Sequence, residues 1–437
     1  MTSLEISKSR DIFIRNARPF FYLADTVWSA FTNASRQEWD HYLTYRQRQG
    51  FNVLQINVLA QWDRSESDLQ RHPFNLNSDG TYDFHQLNDA YFDRAEQMLA
   101  MAVDRGFIPA LVLLWSNYVP GTFFDNLAYR DVMPKEQIAP YVEYVAKRFA
   151  RFNPIFFVSG DTNFEKDIAA EHYYAALETV KRITPQALTS LHLCGGLIDA
   201  PAPDPVEIPR LLLESPHLDF YQYQSSHFYD HGPRCYTYAQ SFYHQPIKRP
   251  IINGEPCYEG LEFNDHRHGP AEIRQATWFS LLSGAKAGIA YGAQGIWQWH
   301  RKGNAYPPAM DDDRPLLYRC EEPFDWRTAL RFDGAWECGF ARWLFETYDL
   351  FDIEPRQEIL NPTANIRMSA TGDHSKVVIY SPYATEIQLA VDLSRLDWRM
   401  IVLGDKQIAR PEVVARQQGS AIKMPPFNSD MLFIGNS

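Results

Sequence analysis

Short unbroken apolar runs alternate along the chain with longer stretches in which apolar positions recur every three or four residues. The first pattern predicts strands buried on both faces, and the second predicts amphipathic helices. Residues 1–19 predict a covering hairpin with a turn near Asn16, and Pro19–Asp25 predicts the first buried strand. Ser35 with Glu38 has the form of a capping box and Gly50 that of a helix stop, so a helix is expected over Arg36–Gln49. The alternation then repeats. Strands are expected at Asn52–Val58, Phe107–Trp115, Ile155–Ser159, Ala187–Leu193, Asp219–Ser225, Ile251–Glu255 and Gly288–Trp299. A long polar loop follows Val58, and helices are expected at Ala90–Arg105, Lys135–Phe149, Ala169–Ile183, Pro205–Leu213, Tyr236–Tyr243 and Ala271–Ser283.

Eight strands alternating with helices predict a (β/α)8 TIM barrel. A doubly wound open sheet is the weaker expectation, because no Gly-x-Gly-x-x-Gly follows the first strand. Trp326–Tyr348 reads as a helix that packs back on the barrel. Beyond Asp352 short alternating segments separated by Gly, Asn, Asp and Pro predict a small antiparallel β-sandwich-like domain. The division is therefore residues 1–350 for the barrel with its N-terminal hairpin and 351–437 for the all-β domain.

A net charge of −12 argues against nucleic acid or an anionic membrane as a partner, and no apolar run is long enough to span a bilayer. Homo-oligomerisation is left open. Five cysteines without a Cys-x-x-Cys pair give no zinc or redox motif, and the start lacks an apolar signal core, so a cytoplasmic location is expected.

In a barrel the C-terminal ends of the strands share one face, where active sites sit. Those ends supply Asp25 and Trp28, Asn57, Trp115, Asp161 and Asn163, His192, Gln224 and His227, Glu255 and Tyr258, then Gln294, Trp297 and Trp299. Two segments share one plan. Arg249–Gly260 runs from apolar residues through Asn253-Gly254 to Glu255, where Pro256 removes a ladder donor. Pro154–Asn163 runs likewise to Asp161. Two strand-end carboxylates imply an acid/base or nucleophile pair, and the surrounding amides and indoles suit sugar hydroxyls and ring faces. Bland roles compete: a helix cap for Asp161 or Asp25, a structural ion pair for Glu255, a structural place for Glu259. His227 and His231, four apart, are read as hydrogen-bonding groups and not as metal ligands, because Gly232-Pro233 breaks a helix there. His266 and His268 are expected to face solvent, and Asp311–Asp313 to form a solvated turn. In a regular last strand only one of Trp297 and Trp299 faces the axis.

The segments Leu23-Ala-Asp-Thr-Val-Trp28, Gly50-Phe-Asn-Val-Leu-Gln55, Gly160-Asp161, Asn253-Gly-Glu-Pro-Cys-Tyr-Glu259 and Tyr291-Gly-Ala-Gln-Gly-Ile-Trp-Gln-Trp299 resemble the apiosidase-like glycoside hydrolases of family 140. The resemblance implies Asp161 as acid/base, Glu255 as nucleophile, and a glycoside substrate such as an apioside or arabinofuranoside. No metal or organic cofactor is expected. A retaining mechanism is preferred to inversion by the same pair. The rival classes are a non-catalytic carbohydrate-binding barrel and a metal-dependent hydrolase.

Overall fold

The computed structural model of the chain describes residues 3–62, 64–126, 131–195, 205–227, 231–263, 266–306 and 322–437. The expected turn at Asp311–Asp313 lies outside the described residues. Eight parallel strands form one sheet: β1 (Tyr22–Thr26), β2 (Val53–Asn57), β3 (Ile108–Trp115), β4 (Ile155–Gly160), β5 (Thr189–Ser190), β6 (Tyr221–Gln224), β7 (Ile251–Glu255) and β8 (Gly288–Tyr291). Their spatial order is β5-β4-β3-β2-β1-β8-β7-β6, a barrel whose seam falls between β5 and β6. Single hydrogen bonds close that seam. The Asp219 N–H donates to the Thr189 carbonyl (3.0 Å) and the Ser190 hydroxyl to the Phe220 carbonyl (2.7 Å). The Leu193 N–H donates to the Gln222 side chain (3.1 Å).

Around the sheet lie α1 (Arg36–Arg48), α2 (Asp89–Asp104), α3 (Lys135–Phe149), α4 (Asp167–Ile183), α5 (Arg210–Leu213), α6 (His231–Tyr243), α7 (Pro270–Leu281) and α8 (Gly334–Thr347). Helix α1 opens with the expected capping box: Ser35 Oγ accepts the Glu38 N–H (3.2 Å), and Glu38 accepts the Ser35 N–H (2.9 Å).

Several elements depart from the pattern-based expectation for physical reasons. The run Pro19–Asp25 divides in two: Arg18–Phe20 pairs antiparallel in a three-stranded N-terminal sheet, and Tyr22 then enters the barrel. Strand β5 is cut to two residues because the Ser159 hydroxyl replaces the ladder beyond it, accepting the His192 N–H at 3.0 Å. The last strand ends at Tyr291, so Trp297 and Trp299 sit in turns and no period-two rule relates them. Helix α5 starts only after Pro209, whose ring obstructs a preceding turn. Helix α6 begins at His231, with Gly232-Pro233 in its first turn, where a missing donor is tolerated. The long loop after β2 folds into a hairpin, Phe74–Leu76 with Tyr82–Leu87.

Alternation along β1 sends Tyr22 and Thr26 to the barrel axis and Asp25 outward against α1. There the Asp25 carboxylate accepts from Tyr42 Oη and Arg46 Nε, both at 2.6 Å, with both ion-pair side chains fully enclosed. Arg46 also donates to Gln49 Oε1 (2.6 Å). Removing one partner of such a pair strands the other charge. Arg46→Met is therefore expected to lower unfolding free energy by about 3–5 kcal/mol. Urea unfolding monitored by tryptophan fluorescence checks this, and the double variant with Asp25→Leu should recover most of the loss.

The C-terminal part forms a six-stranded antiparallel sheet, with Lys376–Ser381 and Met431–Asn436 at its centre, and a three-stranded sheet of Ile387–Leu389, Val413–Ala415 and Ser420–Ile422. The larger sheet has two buried faces. Val377, Ile379, Met431 and Phe433 enter a core of their own with Trp398 and Leu389. Val378, Tyr380, Leu432 and Ile434 belong to the barrel's core instead.

Candidate active site

Glu255 is the last residue of β7, and its backbone carbonyl accepts the Ser225 N–H at 3.1 Å. Two imidazoles face its carboxylate. His192 Nε2 lies 2.8 Å from Oε2, and His227 Nε2 lies 3.0 Å from Oε1. The His192 tautomer follows from its other nitrogen. Nδ1 accepts the Asp161 N–H at 2.8 Å, so in the neutral ring Nε2 carries the proton toward Glu255. One ring thus joins the backbone of Asp161 to the carboxylate of Glu255. Asp161 follows β4 with φ +45°, a left-handed conformation that Asp tolerates and most residues avoid.

The two carboxyl groups are driven apart electrostatically. Burial and the adjacent Glu255 charge raise Asp161 to about 7, against an opposing effect of His192. Burial would also raise Glu255, but hydrogen bonds from His192 and His227 outweigh it and hold this carboxyl well below the ordinary range. Glu255 is thus the carboxyl that ionises first, and Asp161 the one that holds its proton to higher pH.

Aromatic rings wall the pair. Trp28 and Trp115 lie 5.3 and 5.5 Å from the His192 ring and 5.4 Å from each other. Tyr258 covers His227 at 4.2 Å, with Trp297 beyond it at 6.2 Å. The Tyr258 hydroxyl accepts from Trp28 Nε1 at 2.9 Å. Two glycines make this closeness possible. A Cβ on Gly160 would run into the Trp115 indole, and one on Gly292 into the Tyr258 ring. Polar atoms at the strand ends are left without partners among the described residues: the Trp115 and Trp297 indole N–H groups, Asn57 Oδ1, Asn117 Oδ1 and His227 Nδ1. Buried polar atoms normally find partners, so this mixture of donors and acceptors marks where a hydroxyl-rich ligand would supply them.

The structure thus brings together Asp161, Glu255, His227, Tyr258, Trp28 and Trp115, with Trp297 on the wall. Asn57 closes on Gln61 through Nδ2 at 3.3 Å. Gln224 is buried at the end of β6, its side chain against Gly195. Gln294 is buried after β8, with its N–H on the Glu259 carbonyl at 2.9 Å. Asn163 staples two loops, accepting the Phe123 N–H at 2.7 Å and donating to Glu165 at 3.2 Å.

Two expected sugar contacts are corrected. Asp25 faces the helix layer, as the pleat requires, and is consumed by Arg46 and Tyr42. Trp299 is fully buried between Trp326, at 5.0 Å, and Tyr42, at 5.5 Å. His268 is also corrected: it is buried, and Nε2 donates to the His227 carbonyl at 2.7 Å. Nothing in the local sequence marks that contact, because its partner is 41 positions away. Glu259 accepts the Gly334 N–H and the Tyr291 hydroxyl, which anchors the start of α8. Among the described residues no group of three or more His, Cys, Asp or Glu is placed to hold a metal ion.

The fold is that of solved glycoside hydrolase barrels. A family model described as Apiosidase-like, catalytic domain matches residues 7–352, and the chain belongs to that family. Among solved structures it is similar to one described as a glycoside hydrolase, at 18% identity and a TM-score of 0.76, covering 100% of this chain and 97% of that one. It is also similar to a glycoside hydrolase family 5 protein from Bacteroides vulgatus ATCC 8482, at 18% identity and a TM-score of 0.78, covering 100% and 93%. No curated protein matches it.

Proposed function

We propose that the protein is a retaining glycosidase in which Asp161 is the acid/base and Glu255 the nucleophile, acting on a furanoside such as an apioside or arabinofuranoside. The observation that carries the reading is one imidazole set between the Asp161 backbone and the Glu255 carboxylate, in surroundings that push the first carboxyl up and hold the second down. In the first step the Asp161 proton passes to the glycosidic oxygen as the bond to the anomeric carbon breaks. A Glu255 oxygen bonds to that carbon. In the second step Asp161, now ionised, takes a proton from water. The water oxygen displaces Glu255 from the anomeric carbon. The imidazoles of His192 and His227 beside it keep Glu255 ionised far below the pH at which Asp161 gives up its proton. Support for a furanoside comes from the family's name.

A panel of nitrophenyl furanosides and pyranosides followed by proton NMR tests the reading. Turnover is expected on a furanoside, with the first sugar released in the anomeric configuration of the substrate. Release of the opposite anomer removes Glu255 as nucleophile, and turnover confined to pyranosides removes the substrate assignment.

A further inference from the structure

We infer that the junction of the barrel and the C-terminal domain holds a second, non-catalytic carbohydrate-binding site for a neutral glycan. A groove of about 350 Å³ runs between the first turns of α7 and the loops of the six-stranded sheet. That volume lies within the ordinary range for small-molecule sites. Its walls are Glu272, Gln275, Tyr383, Asn428 and Ser429, over a floor of Arg274 and Asp430. The floor is built and already neutral. Arg274 clasps Asp430 with Nε to Oδ2 at 3.0 Å and Nη2 to Oδ1 at 3.0 Å, and both groups are largely buried. The guanidinium is therefore committed and is not available to an incoming phosphate or carboxylate. The remaining charged wall, Glu272, adds negative charge, so an anionic ligand is disfavoured.

The rest of the lining suits hydroxyl groups. Gln275 and Asn428 line it, and each amide offers both a donor and an acceptor. Tyr383 is 42% exposed, and its ring is steadied by the hydrogen bond from its hydroxyl to Thr363 Oγ1 at 3.2 Å. A held aromatic face beside two amides is the combination that binds the apolar face and the hydroxyl edge of a sugar together. The groove opens by the N-terminal turn of α7. The same turn follows His268, whose ring contacts the His227 carbonyl at the catalytic mouth. A glycan anchored in the groove thus lies on the side of the barrel where the strands end. The ligand class rests on the glycosidase reading above.

The test is affinity electrophoresis of the full chain in gels containing arabinan, galactan or xylan, with homogalacturonan as the anionic control. The expected result is retardation in at least one neutral gel and none in homogalacturonan. Retardation should persist in Glu255→Gln and be about tenfold weaker in Tyr383→Ala and in Gln275→Ala. Hydrolysis of a small nitrophenyl glycoside should stay within about twofold of the parent in both groove variants. Tyr383 and Gln275 are surface residues, so circular dichroism and this small-substrate activity verify their folding. No retardation in any neutral gel, retardation by homogalacturonan alone, or unchanged retardation in both groove variants overturns the inference. Loss of retardation in the groove variants with no hydrolysis by the parent leaves the groove standing and removes the catalytic reading instead.

Discussion

Glu255→Gln is expected to fold normally and to lose roughly 10⁴–10⁶-fold in kcat on any glycoside the parent cleaves, the range seen when a nucleophile is removed from a cooperating group. The surrounding hydrogen bonds explain why folding survives. His192 Nδ1 is occupied by the Asp161 N–H, so Nε2 must donate and the new amide must turn its oxygen to it. The amide nitrogen then faces His227 Nε2, and His227 needs only to move its proton to Nδ1, an atom otherwise without a partner. The charge is lost while the packing is kept. Steady-state kinetics with a nitrophenyl glycoside, together with the urea midpoint, measures both. Retention of more than about 1% of parental kcat excludes Glu255 as nucleophile.

The second large effect concerns Asp161. Asp161→Asn keeps a residue that tolerates φ +45°, whereas Ala there adds backbone strain to the chemical loss. For Asp161→Asn we expect about 10²–10⁴-fold slower cleavage of alkyl glycosides and a much smaller loss on dinitrophenyl glycosides, whose leaving groups need no proton. The pH profile gives the sign. An acid held near 7 is protonated below that value and lost above it, so activity of the parent falls as pH rises through about 7. In Asp161→Asn that alkaline limb should vanish. Because burial and the Glu255 charge both raise the Asp161 carboxyl, Glu255→Gln should move its titration, followed by infrared spectroscopy, toward lower pH. Equal losses on good and poor leaving groups exclude Asp161 as the acid.

The legible parts of this fold were those whose signal is local. Helix α3 and strand β7 have the bounds that periodicity and punctuation predict. In β7 the apolar run and the Pro256 stop coincide with the pleat. Shortened β5 was illegible because the ladder is replaced by a hydroxyl from Ser159, 33 positions away from the His192 it serves. Asp161 and Glu255 could be placed on one face of the barrel by position alone, since the first follows a strand and the second ends one. What surrounds them could not. Asp25 occupies a strand end as well, but the pleat turns it to α1, and no local pattern says that Arg46 waits there. Trp299 carries the same side chain as Trp297, yet a turn with φ +48° aims it into the helix layer. The role of His192 emerges only when Asp161 and Glu255 are placed on either side of one ring.

The family match ends at residue 352, but the folded body does not. Because Val378, Tyr380, Leu432 and Ile434 complete the interior of the preceding domain, a chain cut at that point would present a bare oily flank to water. The C-terminal sheet therefore cannot swing like a module on a string. Whatever it grips is held at one fixed bearing to the strand-end mouth of the barrel, with no orientational freedom to be lost on passing from one to the other.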